Sequence, residues 1–331
     1  VDLDAYVAEH RGQWQRLEHL TRRRRLTAEE ADELIALYQR TTTHLSVVRS
    51  RAPDPVLLAR LSQLVLASRA AITGSGRFRW AEVGRFFTVS FPVTVYRARA
   101  WWISVGAGFT ALWLLLTAYV AGHPETQRAL MSEDKMSQLV DHDFESYYSE
   151  HAAQDFAFKV WTNNAWIAAV CLAAGVLVVP VFYVLWTNLL NLAVVGGVMV
   201  SHDRGELYFG LLAPHGLLEL TAVFVAAGVG LRIGWSWIAP GPGLTRSRSL
   251  AQTARAGMTV AMGLVVVLLV SAGVEAFVTP SGLPTVARIA IGATIWLSFL
   301  GYVFALGSRA AARGETGDVS GDAREEYAPS T

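Results

Sequence analysis

The chain has 331 residues, 53% of them hydrophobic and only 17% charged, with a formal net charge of +1. A lone cysteine, Cys171, leaves no room for a disulfide within the chain. Between Trp166 and His202 some 37 positions carry no Asp, Glu, Lys or Arg, which is too long for one crossing of a ~30 Å hydrocarbon layer and enough for two. No soluble core is thick enough to bury such a run, so the fold class is all-α, a polytopic helical membrane bundle.

In chain order, residues 1–99 form a helical region with 16 Lys/Arg against 10 Asp/Glu. Its start, Val1 to Leu20, is polar and helical and does not read as a cleavable signal. Thr27-Ala28-Glu29-Glu30 is a capping box, and Leu34, Leu37, Tyr38, Leu45 and Val48 follow at helical spacing until Pro53 and Pro55. A further helix at about 56–71 carries the stripe Leu57, Leu58, Leu61, Leu64 and Val65. The basic run Arg22–Arg25 is read as lipid-facing or solvated rather than as a nucleic-acid contact. Arg77, Phe78, Arg79, Trp80, Arg85, Phe86 and Phe87 mix cations with rings, the pattern of a segment lying in the membrane interface and binding lipid.

Six crossings are expected, at about 101–121, 163–182, 184–201, 213–237, 257–278 and 286–307, forming a membrane domain over 100–307. Trp101, Trp102, Trp161, Tyr183, Trp235, Trp237 and Tyr302 sit at the ends of apolar runs and read as an aromatic belt. The loop 122–160 carries 3 Lys/Arg against 8 Asp/Glu and is placed outside. The basic N-terminal region, the segment with Arg246, Arg248 and Arg255, and Arg309 and Arg313 all fall inside if 163–201 crosses twice, with its hairpin near Pro180–Trp186. Both termini are then cytoplasmic in a plasma-membrane protein, and residues 308–331 form a tail whose Gly/Asp/Glu/Ser-rich end from Gly314 reads as disordered.

Ionisable groups are rare within membranes because each costs several kcal/mol unless paired or wet, on the order of 2.5–3.5 kcal/mol by insertion scales. Pro214-His215-Gly216 opens the fourth span, and Glu219 follows His215 by four residues, placing both on one helical face. Glu275 lies near the end of the fifth span, and Asn163 and Asn164 open the second. With this topology Asn163, His215, Glu219 and Glu275 share one depth, in the outer half, and together with Asn164 read as a single polar cluster inside the bundle. Hydrogen-bonded packing between helices is the leading interpretation, ahead of a water-filled cavity for transport. A metal site ranks last, because the i,i+4 pair has no second histidine nearby. Asn188 and Asn191 bridge helices in this reading. His123, His142 and His151 lie among the acidic residues of the outer loop, which is read as a solvated face.

Several motifs together resemble the stage II sporulation protein M family of bacterial and archaeal membrane proteins, from about residue 10 to 307. They are Trp14 with Leu34-Ile35-Ala36-Leu37-Tyr38-Gln39-Arg40, then Thr162-Asn163-Asn164, then Ala213-Pro214-His215-Gly216-Leu217-Leu218-Glu219-Leu220, and Glu275-Ala276-Phe277-Val278-Thr279-Pro280-Ser281. The resemblance implies an integral membrane scaffold. In endospore formers the relevant member assembles with peptidoglycan-degrading partners, a role that does not carry to organisms without endospores. It implies no catalytic residue. No phosphate-binding loop or nucleophile elbow is present, since Gly74-Ser75-Gly76 lacks the lysine and spacing of the former. The expectation is therefore a non-enzymatic scaffold that organises protein partners at the cell envelope, with membrane lipids as its surroundings, self-association allowed, and no nucleic acid, cofactor or metal. A transporter or channel is the alternative, and an intramembrane metal-dependent hydrolase a minority one.

Overall fold

A computed structural model describes residues 3–23, 26–51, 54–72, 80–140 and 153–317. Among these residues every regular element is helical. The chain divides into two compact units, 1–82 and 83–331.

The first unit contains α1 (Leu3–Arg22), α2 (Ala28–Arg51) and α3 (Pro55–Ile72). The capping box forms as expected: Glu30 N–H donates to Thr27 Oγ1 at 3.2 Å, and Thr27 N–H to Glu30 Oε2 at 3.0 Å. Asp54 caps α3 by accepting from Leu57 N–H at 2.7 Å, directly before Pro55. Leu17, Leu20, Leu34 and Leu37 make one buried cluster, and Trp14, Val48 and Leu61 another. Helix α3 is long and apolar enough to cross a membrane, yet it joins this bundle through Leu61 and through Ser68, whose hydroxyl meets Thr21 Oγ1 at 3.1 Å.

The second unit begins earlier than residue 100. After α4 (Trp80–Arg85), a π-helical turn (Phe86–Ser90) leads into α5 (Phe91–Arg97), and all five residues from Phe91 to Val95 are buried. The boundary expected at 99 therefore moves to 82/83. Of this basic–aromatic stretch, Phe86 lies against the membrane unit's core, the Phe87 carbonyl accepts from Tyr302 Oη at 2.5 Å, and Trp80 is exposed.

Six long helices follow. They are α6 (Arg99–Gly122), α9 (Ala153–Ala173), α10 (Val179–Ser201), α11 (Gly205–Ile238), α12 (Arg246–Phe277) and α13 (Thr285–Ala312), with short α7 (Pro124–Leu130) and α8 (Glu133–Gln138) after α6. Each of the six is long and apolar enough to span a membrane, α9 through the stretch Phe158–Leu177. The chain is a multi-pass membrane protein by this measure. The charge-free block is two helices, as expected, but the reversal lies earlier than Pro180–Trp186. A 3-10 turn (Ala174–Leu177) ends at Val178, whose φ of 63° is sterically costly for a β-branched residue. Pro180 instead occupies the first turn of α10, where its missing N–H is not needed.

Helix α11 is the centre of the bundle, packing against α6, α9, α10, α12 and α13. Its 34 residues extend about 51 Å at 1.5 Å per residue, and its buried face includes Ala222, Ala226, Ala227, Gly228, Gly230 and Gly234. Cβ atoms are excluded where helices cross. At Gly228 one would meet Trp102 N at 2.6 Å, and at Gly230 it would overlap the Cys171 carbonyl. Such close backbone approach suits a membrane bundle, where lipid offers no hydrophobic drive and packing must supply the attraction.

Two further expectations need correction. Trp102 is not part of a belt, since it is buried and its Nε1–H donates to Val95 O at 3.0 Å; Tyr183, Trp235 and Trp237 are the exposed rings. The tail does not start at 308: α13 continues to Ala312, and Glu315 is held by Arg85 at 3.3 Å and by Arg97 Nε, which donates to its carbonyl at 3.0 Å. Residues 318–331 lie outside the described residues.

Candidate functional site: a polar cluster at the α9–α11–α12 junction

Helix α11 starts at Gly205, nine residues before Pro214, so the Pro-His-Gly motif lies within a helix rather than opening one. Proline in a helix interior removes a hydrogen bond and presses its ring on the residue four before it. Here that residue is Gly210. On the other side, Gly292 of α13 lies so close that a Cβ would overlap the Pro214 carbonyl. Both glycines let α13 come close to this part of α11, since a Cβ on Gly210 would meet Thr285 Cγ2 at 2.8 Å.

The structure brings together His215, Glu219 and Glu275, from α11 and α12, with one ligand-type atom of each within 4.8 Å of the others. His215 Nε2 stands 3.8 Å from Glu275 Oε1. Both residues are only 4% exposed, whereas Glu219 is half-buried. Glu275 Oε2 is buried and has no hydrogen-bond partner. From α9, buried Asn164 hydrogen-bonds Glu219 through its side chain. Asn163 is exposed at the rim and reaches the cluster only through Asn164 Oδ1, 3.4 Å from its Nδ2.

The imidazole is held from behind. Thr279 Oγ1 lies 3.2 Å from His215 Nδ1 and donates its own proton toward Val274 O at 3.5 Å, so it is placed to accept from Nδ1–H. In a neutral ring this leaves the Nε2 lone pair facing Glu275. Ser271 Oγ donates to the His215 carbonyl at 3.2 Å. Arg288 of α13 donates through Nη1 to Thr279 O at 2.6 Å and through Nη2 to Thr285 Oγ1 at 3.0 Å.

Ser271 and Arg288 were not among the sequence candidates. A signal for Arg288 existed, since it is the one charged residue in the run 285–308; Ser271 had none, because an isolated serine in an apolar helix is common. The other candidates fall elsewhere. Asn188 donates to Val184 O of its own helix at 2.8 Å, and Asn191 is exposed, so neither joins this cluster. Trp80 is 79% exposed and Arg85 pairs with Glu315. Arg77, Phe78 and Arg79 lie outside the described residues, as do His142, His151 and their acidic neighbours. His123 stacks on Tyr119 with ring centroids 4.1 Å apart.

Three carriers of charge with two amides and two hydroxyls can do two things chemically. They can tie three helices together by hydrogen bonds, or they can hold a cation.

Two family models match the chain. That of Stage II sporulation protein M covers residues 83–280, starting where the second compact unit starts. That of a domain of unknown function (DUF8413) covers residues 4–74. The motifs around Trp14 and Leu34–Arg40 therefore lie within the second match, not the first. The comparisons with curated proteins and with solved structures found no match.

Proposed function

This chain belongs to the stage II sporulation protein M family, and from that premise we propose that it is a non-enzymatic scaffold of the cell envelope that binds a transmembrane helix of a partner protein. The observation that carries this reading is a groove of about 610 Å³ between α6 and α10. Its floor on α6 is Ala100, Ser104 and Gly108, spaced four apart, and Trp101, Phe182 and Trp186 rise beside it. A Cβ on Gly108 would meet nothing within 4 Å, so this glycine is not needed by the bundle itself. Small residues four apart let a second helix backbone come close, and close packing is what drives association in lipid.

The scaffold is read with both termini cytoplasmic in the plasma membrane, from the basic segments on one side and the acidic 122–160 loop on the other. Cysteines near Thr126 should then label from outside intact cells and cysteines at Ser247 should not; external labelling of Ser247 would refute the orientation.

A photo-crosslinking amino acid at Ser104 or Phe182 tests the docking role. It should capture a membrane protein, whereas the same probe at Leu269, an exposed position on α12, should capture only lipid. Gly108→Ile should fill the groove and abolish the capture while the protein stays folded. Lipid adducts alone at Ser104 and Phe182 would refute the reading.

A further inference from the structure

We propose that His215, Glu219 and Glu275 form a binding site for one divalent transition-metal ion, of which zinc is the first to test, inside the membrane unit.

Four observations converge. The donor set is one imidazole nitrogen and two carboxylates, a mixture that suits zinc or manganese. An ion at the centre of a triangle with edges of at most 4.8 Å lies about 2.8 Å or less from each corner, against roughly 2.0–2.2 Å in a closed site, so side-chain rotations of under an ångström complete it.

The 3.8 Å between His215 Nε2 and Glu275 Oε1 is too long for a hydrogen bond. It is close to the ~3.4 Å that separates two ligands of a tetrahedral ion. Glu275 Oε2 is buried without a partner, within a side chain that is 4% exposed and directed into the cluster. A single shared proton would leave that separation unbridged, whereas an ion bridges it.

The surroundings match what metal ligands need. Thr279 engages Nδ1 and so turns Nε2 inward, and Asn164 orients Glu219, the kind of outer contacts that fix ligand geometry. Two ionised carboxylates would put two negative charges in a region of low dielectric, and a dication cancels both. Glu219 is the least enclosed of the three.

The full-length protein, purified in detergent and stripped with a chelator, is dialysed against zinc or manganese chloride, and bound metal is measured by mass spectrometry. One ion per chain is expected. Glu275→Gln and His215→Ala should each weaken binding at least 10-fold while eluting as monodisperse protein, and Asn163→Ala at the exposed rim should leave it unchanged. Should His215→Ala fail to fold, zinc-edge absorption of the wild type serves instead, with imidazole scattering in an all-nitrogen-and-oxygen shell expected. Folded wild type that takes up neither metal, undiminished binding in Glu275→Gln, or a shell without imidazole would each overturn the proposal.

Discussion

The two compact units of this chain differ in what lines their helix crossings. In the N-terminal unit, large side chains fill the inside: Leu17, Leu20 and Leu61 are fully buried, and charged pairs such as Arg16–Glu33, bidentate at 3.0 and 2.7 Å, decorate the surface. In the membrane unit, the central helix is lined with Ala and Gly, while Leu115, Phe182 and Leu269 face outward. Water makes burial of large apolar groups favourable. Lipid does not, so contact between backbones and a few buried hydrogen bonds must do the work. The lesson is that small residues mark the crossings of the central helix, while large side chains such as Phe91, Tyr208 and Leu264 fill the rest of the second unit's interior.

The contrast is broken most severely at the glycine crossings. Gly230→Leu or Gly292→Val puts side-chain atoms where a neighbouring backbone stands. Backbone cannot yield as a side chain can, so the cost should be at or above about 3 kcal/mol, the upper end for overpacking. Loss of monodisperse protein on gel filtration is the expected result, and near-normal yield would show the crossings are looser than described. In the N-terminal unit the informative change is the reverse. Leu17→Ala should cost about 2–5 kcal/mol by leaving a cavity, read as faster hydrogen exchange across α1–α3.

Next comes the polar cluster, where the membrane unit buries ionisable groups between its helices. Glu219→Gln keeps a partner for Asn164 and should leave thermal unfolding nearly unchanged in metal-free protein. Glu219→Leu removes that partner and should cost about 1–2 kcal/mol. Equal damage from both would mean that the carboxylate charge, not hydrogen bonding, holds the helices.

The smallest effect is expected at His44 in the N-terminal unit. Trp14 Nε1–H donates to His44 Nδ1 at 3.2 Å, and the ring stacks on His10 with centroids 4.1 Å apart. Burial, and then the neighbouring His10, hold the His44 pKa below its ordinary value. A base with a lowered folded-state pKa binds fewer protons folded than unfolded. Its contribution to stability is therefore complete above the unfolded value of about 6.5 and is lost as pH falls through the folded value. Hydrogen-exchange protection factors in α1 and α2, corrected for the intrinsic rate, should fall on acidification below about pH 6.5, and His44→Phe should flatten that response. A pH response unchanged in His44→Phe would assign it to another group.

Much of the membrane unit was legible because hydrophobic length is a one-dimensional property. Six membrane-length helices, the division of 163–201 into two of them and the isolated polar residues followed from runs and gaps in the apolar pattern. Boundaries were less legible. The stretch 83–97 reads as interfacial by composition, yet Phe91–Val95 are buried, because aromatic and basic residues serve a membrane surface and a helix junction equally well. Pro214 read as a helix start for a similar reason: local rules favour proline there, and only the structure shows that α11 begins nine residues earlier.

The sequence alone determined the class of the protein, the six long apolar helices of its second unit, and that His215 and Glu219 share a helical face, since a turn of helix repeats every 3.6 residues whatever surrounds it. Tertiary structure decided the rest. Glu275 lies 56 residues beyond Glu219, and no local periodicity relates the two; α11 and α12 must pack before their carboxylates meet. Asn164 joins and Asn163 does not, because neighbouring residues on a helix point about 100° apart and only packing selects which one faces inward.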